Sequence, residues 1–544
     1  MSRSRASLIV AGEVIVAATP EGLETAEAVG IAGGRVVAVG SRDDVLAAAE
    51  SSARVIDTGP AAVIPGLHDF HIHLAGLARA RAGVRLDDAA DGEHVLETLR
   101  RAAADLATDA WLTGRGWNEA QLAGIRGGAL DLAVGEHAAF LASHDGHSAW
   151  ASRVALRLAA IDRSTPDPHG GRIERGTDGE PTGVVRETAL DLVARHVPRL
   201  QGAALRGPLA ATLGDLSALG ITGACEAGDY TDEGGIGADA ALGDSYSSLT
   251  DLADAVDGRL RLTIGIPVDA IPAATVRGLR TGRSLHGRRT LRFGWAKEYA
   301  DGALGSGTAA LFEPKTCGEP DRGILRVEPA ELDSLVASAR AAGIALAIHA
   351  IGDRAAAAVL DAIERGPGRG VGVPNDRIEH AQLVRSRDRE RFAALGVTAS
   401  IQPIHAAADR DLVEACWQGR QDDAYAWRSL ADAGALLVAG SDAPVESVDP
   451  WLGMYAAIHR RLPTDARGDW RPDQAVDVVR ALAAYTSGPA TALGVPDEGH
   501  LRPGARADLA VLDIDRATLL AGGEAMASAR SVLTLVDGVE AHRS

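Results

Sequence analysis

The chain opens on short apolar runs broken by polar or glycine positions. They are Leu8-Ile9-Val10, Glu13-Val14-Ile15-Val16, Ala28-Val29-Gly30-Ile31, Arg35 through Gly40, and Arg54-Val55-Ile56-Asp57. Such runs read as strands, and Gly33-Gly34 between two β-rich segments predicts a hairpin. The far end has the same texture, in Ala507–Asp513 and Ser531–Gly538. The two ends are expected to pair into one small β-sandwich domain, residues 1–64 with 489–544, with a larger unit over 65–488 inserted between them.

Between the ends, strand-like and helix-like segments alternate, the pattern of a parallel α/β fold. Eight strand candidates can be counted: Ala62–Pro65 (running on towards His71), Ile221–Cys225, Leu260–Ile264, Leu291–Trp295, Ile344–Ile348, Arg377–Glu379, Val397–Ile401 and Ala435–Ala439. Helical patterns separate several of them, as over Pro329–Ala342 and Arg354–Arg365. Eight strands fit a closed (β/α)8, TIM-type barrel. The stretch from about 78 to 220 is too long for one βα connection and carries its own strand-like run, Ala138–Ala142. It reads as an insertion over the barrel mouth.

Composition narrows the function classes. A net charge of −19 argues against nucleic-acid or anionic-membrane partners, which need a basic face. There is no apolar run of about 18 residues and no good signal peptide, which points to the cytoplasm. The three cysteines, Cys225, Cys317 and Cys416, are scattered and form no CxxC pair. A disulfide framework and a cysteine zinc site are therefore not expected, and a reducing compartment is. Lysine occurs only at 297 and 315, against 53 arginines. A lysine that survives in such a chain is a candidate for chemistry.

The candidate chemistry sits at strand ends. His71-Ile72-His73 follows the first barrel strand, and in extended backbone residues i and i+2 point to the same side, where two imidazoles can grip one metal. Lys297, His349, His380 and Asp442 each follow a later strand. All strand C-termini of a barrel open on one face. Singly, each has a bland reading: a core histidine, a salt-bridged lysine beside Glu298, a turn-forming aspartate before proline. Five such groups at strand ends of one barrel are hard to explain that way. A buried lysine with a depressed pKa can take up carbon dioxide as a carbamate, an anion able to bridge two metals.

These segments resemble the amidohydrolase superfamily, in its YtcJ-like branch, which includes N-substituted formamide deformylases. The resemblance rests on Pro65–His73, Gly114–Trp117, Ser143–Trp150, Lys297–Ser306, Ile348–Arg354, Arg377–Gln382, Ser400–Pro403 and Gly440–Val445. It implies that His71, His73 and Asp442 bind a first metal, that His349 and His380 bind a second, and that carbamylated Lys297 bridges them. Zinc is the expected ion, although iron, manganese or nickel would suit such donors. Asp442 would also act as general base on the attacking hydroxide. Contacts to a small-molecule substrate are expected from His144, His147, Trp117, His405 and Arg428, with Trp417 and Arg420 as further pocket candidates. Where relatives often carry arginine after Gly305-Ser306, this chain has Gly307, so substrate identity does not transfer directly.

The implied activity is hydrolysis of a non-peptide C–N bond, as in an N-formyl or N-acyl amine, by metal-activated hydroxide. Alternatives are a cyclic-amide hydrolase, a deaminase of the same superfamily, and a non-catalytic regulator on this scaffold. Lys297 speaks against the deaminase and the intact ligand set against the regulator. A homodimer is the default assembly.

Overall fold

The computed structural model describes residues 5–228 and 241–544, apart from positions 88, 123, 124, 126, 127, 145, 169 and 199. Eight parallel strands build a nearly closed barrel: β1 (Leu67–Ile72), β2 (Ile221–Glu226), β3 (Arg261–Pro267), β4 (Leu291–Tyr299), β5 (Leu346–Ala350), β6 (Arg377–His380), β7 (Thr398–Ile401) and β8 (Leu436–Ala439). They are hydrogen-bonded in sequence order from β1 to β8. The seam between β8 and β1 is bridged just beyond β8. There Asp442 N donates to His71 O (2.7 Å) and His73 N donates to Ala443 O (2.8 Å).

Helices cover the barrel because their apolar stripes match its outer face. Pro329–Ala342 starts on a capping box, in which Glu328 and Glu331 satisfy each other's backbone N–H groups. Asp353–Arg365 buries Ala355, Ala356, Val359, Leu360 and Ile363 along one side.

The first barrel strand lies further along than the hydrophobic pattern suggested. Ala62–Pro65 ends a long strand, Ala49–Pro65, of a separate seven-stranded sheet. That strand runs between Ala6–Thr19 and Leu509–Asp515, pairing Val63 with Val511 and Pro65 with Leu509. One unbroken apolar run thus serves two sheets, and the change occurs at Gly66. Gly66 N donates to Asp508 O, while Leu67 N already bonds Gly220 O inside the barrel. A side chain at Gly66 would put its Cβ 2.1 Å from the Thr222 hydroxyl, so the crossing needs glycine.

Between β1 and β2 the chain builds a six-stranded sheet, including Leu112–Trp117, Ala139–Ser143, Ser148–Ala151 and Pro181–Glu187. It then returns to the barrel through the helix Gly202–Ala218.

Cys317 and Cys416 form a disulfide, with Cα atoms 4.5 Å apart and a sequence separation of 99. This corrects the expectation of an all-thiol chain and removes its support for a reducing compartment. The barrel brings the loop after β4 against the helix Arg410–Cys416, a meeting that cysteine spacing cannot reveal. Cys225 is a buried free thiol. No helix among the described residues is long and apolar enough to cross a membrane.

Candidate metal centre at the barrel mouth

Three local features turn the strand ends inward. His71 lies in β1 and His73 one residue past it, with ring centroids 5.6 Å apart. Strand alternation would send Glu379 and His380 to opposite faces. Instead His380 and Ala381 adopt φ of 72° and 41°, which breaks the alternation at the end of β6. Asp442 sits at φ 59° just after β8. Non-glycine residues pay for this left-handed conformation, and such strain clusters at functional sites. Gly440 lets the chain pass so near β1 that an added Cβ would lie 2.3 Å from His71 N.

The donors converge on Asp442. Its Oδ1 is 3.1 Å from His71 Nε2 and 3.3 Å from His73 Nε2. Its Oδ2 is 3.2 Å from His405 Nε2. Two groups have donor spacings that could hold a metal ion: His71, His73 and Asp442, and His380, His405 and Asp442. The His380 ring centroid is 5.1 Å from that of His71 and 4.6 Å from that of His349. His349 Nε2 is 2.9 Å from Gly302 O, which puts the proton of the neutral ring on Nε2 and the lone pair on Nδ1. Lys297 Nζ stands 4.7 Å from the Tyr299 ring centre.

Several of these atoms are buried with no hydrogen-bond partner: His71 Nε2, His380 Nδ1 and Lys297 Nζ. Buried polar atoms are ordinarily satisfied, so three orphans around one carboxylate fit a divalent cation. The electrostatics agree. Burial pushes the Lys297 ammonium down to about 8, against the pull of Glu379 and Asp442. Burial, with Lys297 for His349 and His349 for His380, pushes both imidazoles well below their ordinary value, into the neutral form that ligates metal. Burial opposes the charge on Asp442. The neighbouring His71, then His405 and His73, outweigh it and hold the carboxyl well below the carboxylate range.

The centre lies at the floor of a cavity of about 420 Å3. The cavity is lined by His71, His73, Lys297, His349, His380 and Asp442, and the structure also brings Trp117, His144, His147 and His405 to its wall. Trp117 is fixed by its indole N–H donating to Leu141 O. His147 Nδ1 meets Glu187 at 3.2 Å. His144 lies between Asp87 and Glu446, whose hydrogen bonds raise it to about 9. Asp145, from the same sequence motif, lies outside the described residues.

Three expected pocket residues are elsewhere. Arg428 is exposed and pairs with Asp432 one turn along its own helix. Trp417 is buried in the hydrophobic core. Arg420 donates to the carbonyls of Glu313 and Pro314. Sequence reading also overlooked pocket residues. Glu446 comes four residues after Asp442, on the loop already singled out, and is held at about 2 because His144 and His405 outweigh its burial. Glu379, fully buried behind the cavity rather than lining it, lies within the Arg377–Gln382 motif, where the sequence marks only a strand position. Leu304, Ile351 and Leu412 form part of the apolar wall; the first two lie within the Lys297–Ser306 and Ile348–Arg354 motifs, where the sequence assigns no pocket role to them.

The chain is similar to known proteins over nearly its whole length. The amidohydrolase family profile matches residues 54–542. An N-substituted formamide deformylase of Arthrobacter pascens is 30% identical over 536 residues, covering 94% of each chain. Protein LONG AFTER FAR-RED 3 of Arabidopsis thaliana is 29% identical, over 90% of this chain and 84% of its own. Among solved structures, an uncharacterized metal-dependent hydrolase from Pyrococcus horikoshii OT3 superposes with a TM-score of 0.74. It is 26% identical and the match covers 93% of this chain and 97% of that one.

Proposed function

The chain belongs to the amidohydrolase family, and we propose that it hydrolyses a non-peptide C–N bond in a small molecule, with an N-formyl or N-acyl amine as the substrate class. The observation that carries this reading is the convergence of His71, His73, His380 and Asp442 with the buried, unpartnered Lys297 Nζ on one cavity floor. The similarity to a formamide deformylase over 94% of both chains supports the substrate class.

In this reading His71, His73 and Asp442 hold one metal position and His349 and His380 the other. Lys297, whose lowered pKa leaves a neutral amine available near neutral pH, would add carbon dioxide, lose one proton to water and offer the resulting carbamate as an anionic donor to both positions. Zinc suits the nitrogen and carboxylate donors. When bound, the metal supplies Lewis acidity towards the carbonyl and towards water. Asp442 accepts the proton of the attacking water and returns it to the leaving nitrogen, with His405 Nε2 steadying Oδ2 from 3.2 Å. The apolar wall of Leu304, Ile351 and Leu412 receives the substituent. We further divide the chain into a barrel unit over 65–488 and an end unit from 1–64 with 489–544.

The test is metal content by elemental mass spectrometry on protein purified without chelator and with bicarbonate, alongside release of amine from a panel of N-formyl and N-acyl amines. Two metals per chain, falling sharply in Lys297→Ala, with amine released, is the expected result. Absence of metal after reconstitution would overturn the reading.

A further inference from the structure

Beneath the metal centre lies a chain of fully buried charge that ends on a ligand. His71 places Nδ1 2.5 Å from Glu379 Oε2, and neither side chain is more than 1% exposed. The other Glu379 oxygen is paired with the Arg377 guanidinium. That guanidinium is itself immobilised. It stacks on Trp295 (4.4 Å) and Phe70 (4.9 Å), and one of its N–H groups donates to Phe70 O at 2.9 Å. Trp295 is anchored in turn by its indole N–H on Asn375 O. The carboxylate facing His71 therefore has little freedom to turn away.

A carboxylate accepts and does not donate, so this contact requires the proton of a neutral His71 to reside on Nδ1. Nε2 then carries the lone pair, and it faces Asp442 Oδ1 at 3.1 Å. We propose that Glu379 is the positioning residue of the metal centre, fixing the tautomer and ring angle of His71 by taking its Nδ1–H. The inference rests on the metal-site reading above and deepens it. It also ties the two metal positions together, because β6 presents His380 to one of them and, through the neighbouring Glu379, orients His71 for the other.

The experiment titrates Zn2+ into apoprotein in competition with a chromophoric chelator. The variants are Glu379→Gln and the charge-balanced pair Arg377→Met with Glu379→Gln. Removing such an outer partner typically weakens metal affinity about 10- to 100-fold. A loss of that size in both variants is expected, since the uncharged amide oxygen is a weaker acceptor for Nδ1–H than the carboxylate. Recovery of wild-type affinity in the pair would show that Glu379 merely neutralises Arg377, and would overturn the proposal. Should neither variant fold, 15N-detected NMR of the wild-type apoprotein decides, with His71 assigned by His71→Gln. A protonated Nδ1 supports the proposal and a protonated Nε2 overturns it. A wild-type protein that binds no Zn2+ overturns the metal-site reading itself, an outcome distinct from wild-type binding that Glu379→Gln leaves unchanged.

Discussion

His349 gives its Nε2–H to the carbonyl of Gly302, 2.9 Å away, so the nitrogen it offers the metal centre is Nδ1. The amide of asparagine overlays the Nδ1 position of histidine, and that of glutamine overlays Nε2. His349→Asn is therefore expected to retain more bound metal than His349→Gln. Elemental analysis of the two purified variants checks this, and the reverse order would place Nε2 on the metal.

His405 and Arg428 separate a site residue from a surface one. His405 supports Asp442 Oδ2 with a hydrogen bond to a charged acceptor, an interaction worth about 1.5–3 kcal/mol. His405→Ala is expected to lower kcat/KM about 10- to 100-fold. Arg428→Ala removes an exposed pair one helical turn long and should change kcat/KM by less than about twofold. Steady-state rates on one amide substrate test both.

Acid should destabilise the fold through His68, at the opposite end of the barrel from the metal. Burial, then the Arg292, Arg377 and Arg261 guanidiniums, push it down to about 3 from an ordinary 6.5. Between those values the unfolded chain binds a proton that the folded one refuses, so stability falls as pH drops from about 6.5 towards 3. From pH 7 to pH 4.5 this amounts to about 2–3 kcal/mol. Measured by urea unfolding at the two pH values, wild type should lose more unfolding free energy than His68→Gln by that amount.

Reducing the Cys317–Cys416 disulfide frees a loop of about 100 residues in the unfolded chain. A loss of about 2–4 kcal/mol in unfolding free energy is expected, matched by Cys317→Ser without reductant. Equal stability with and without dithiothreitol would contradict it.

Periodicity and strand ends made the barrel legible because most of its strands are apolar runs, and β4, β5, β6 and β8 each end in or just before a candidate ligand. Lys297 stood out through the scarcity of lysine, and His71 and His73 through their spacing. What stayed hidden depends on neighbours distant in sequence. The Ala62–Pro65 run could not disclose that it pairs with Leu509–Asp515, since the same residues would suit a barrel strand. Arg428 and Arg420 carry no mark distinguishing a pocket arginine from a surface or loop-binding one. Glu379 gained its meaning only when β1 and β6 were seen to face each other across the barrel floor. Cys317 and Cys416 meet only because the loop after β4 crosses to the helix after β7.

The seven-stranded sheet bears on how the protein is made. Its long strand, Ala49–Pro65, has Leu509–Asp515 on one flank and feeds directly into β1. A ribosome delivers these segments about 440 residues apart, and at about 5–20 residues per second that is on the order of half a minute. For that interval the strand that leads into His71 has one edge without its final partner. The strand that leads into β1 is thus completed only when the last part of the chain emerges, and premature termination before Leu509 would leave that edge exposed to pairing with another nascent chain.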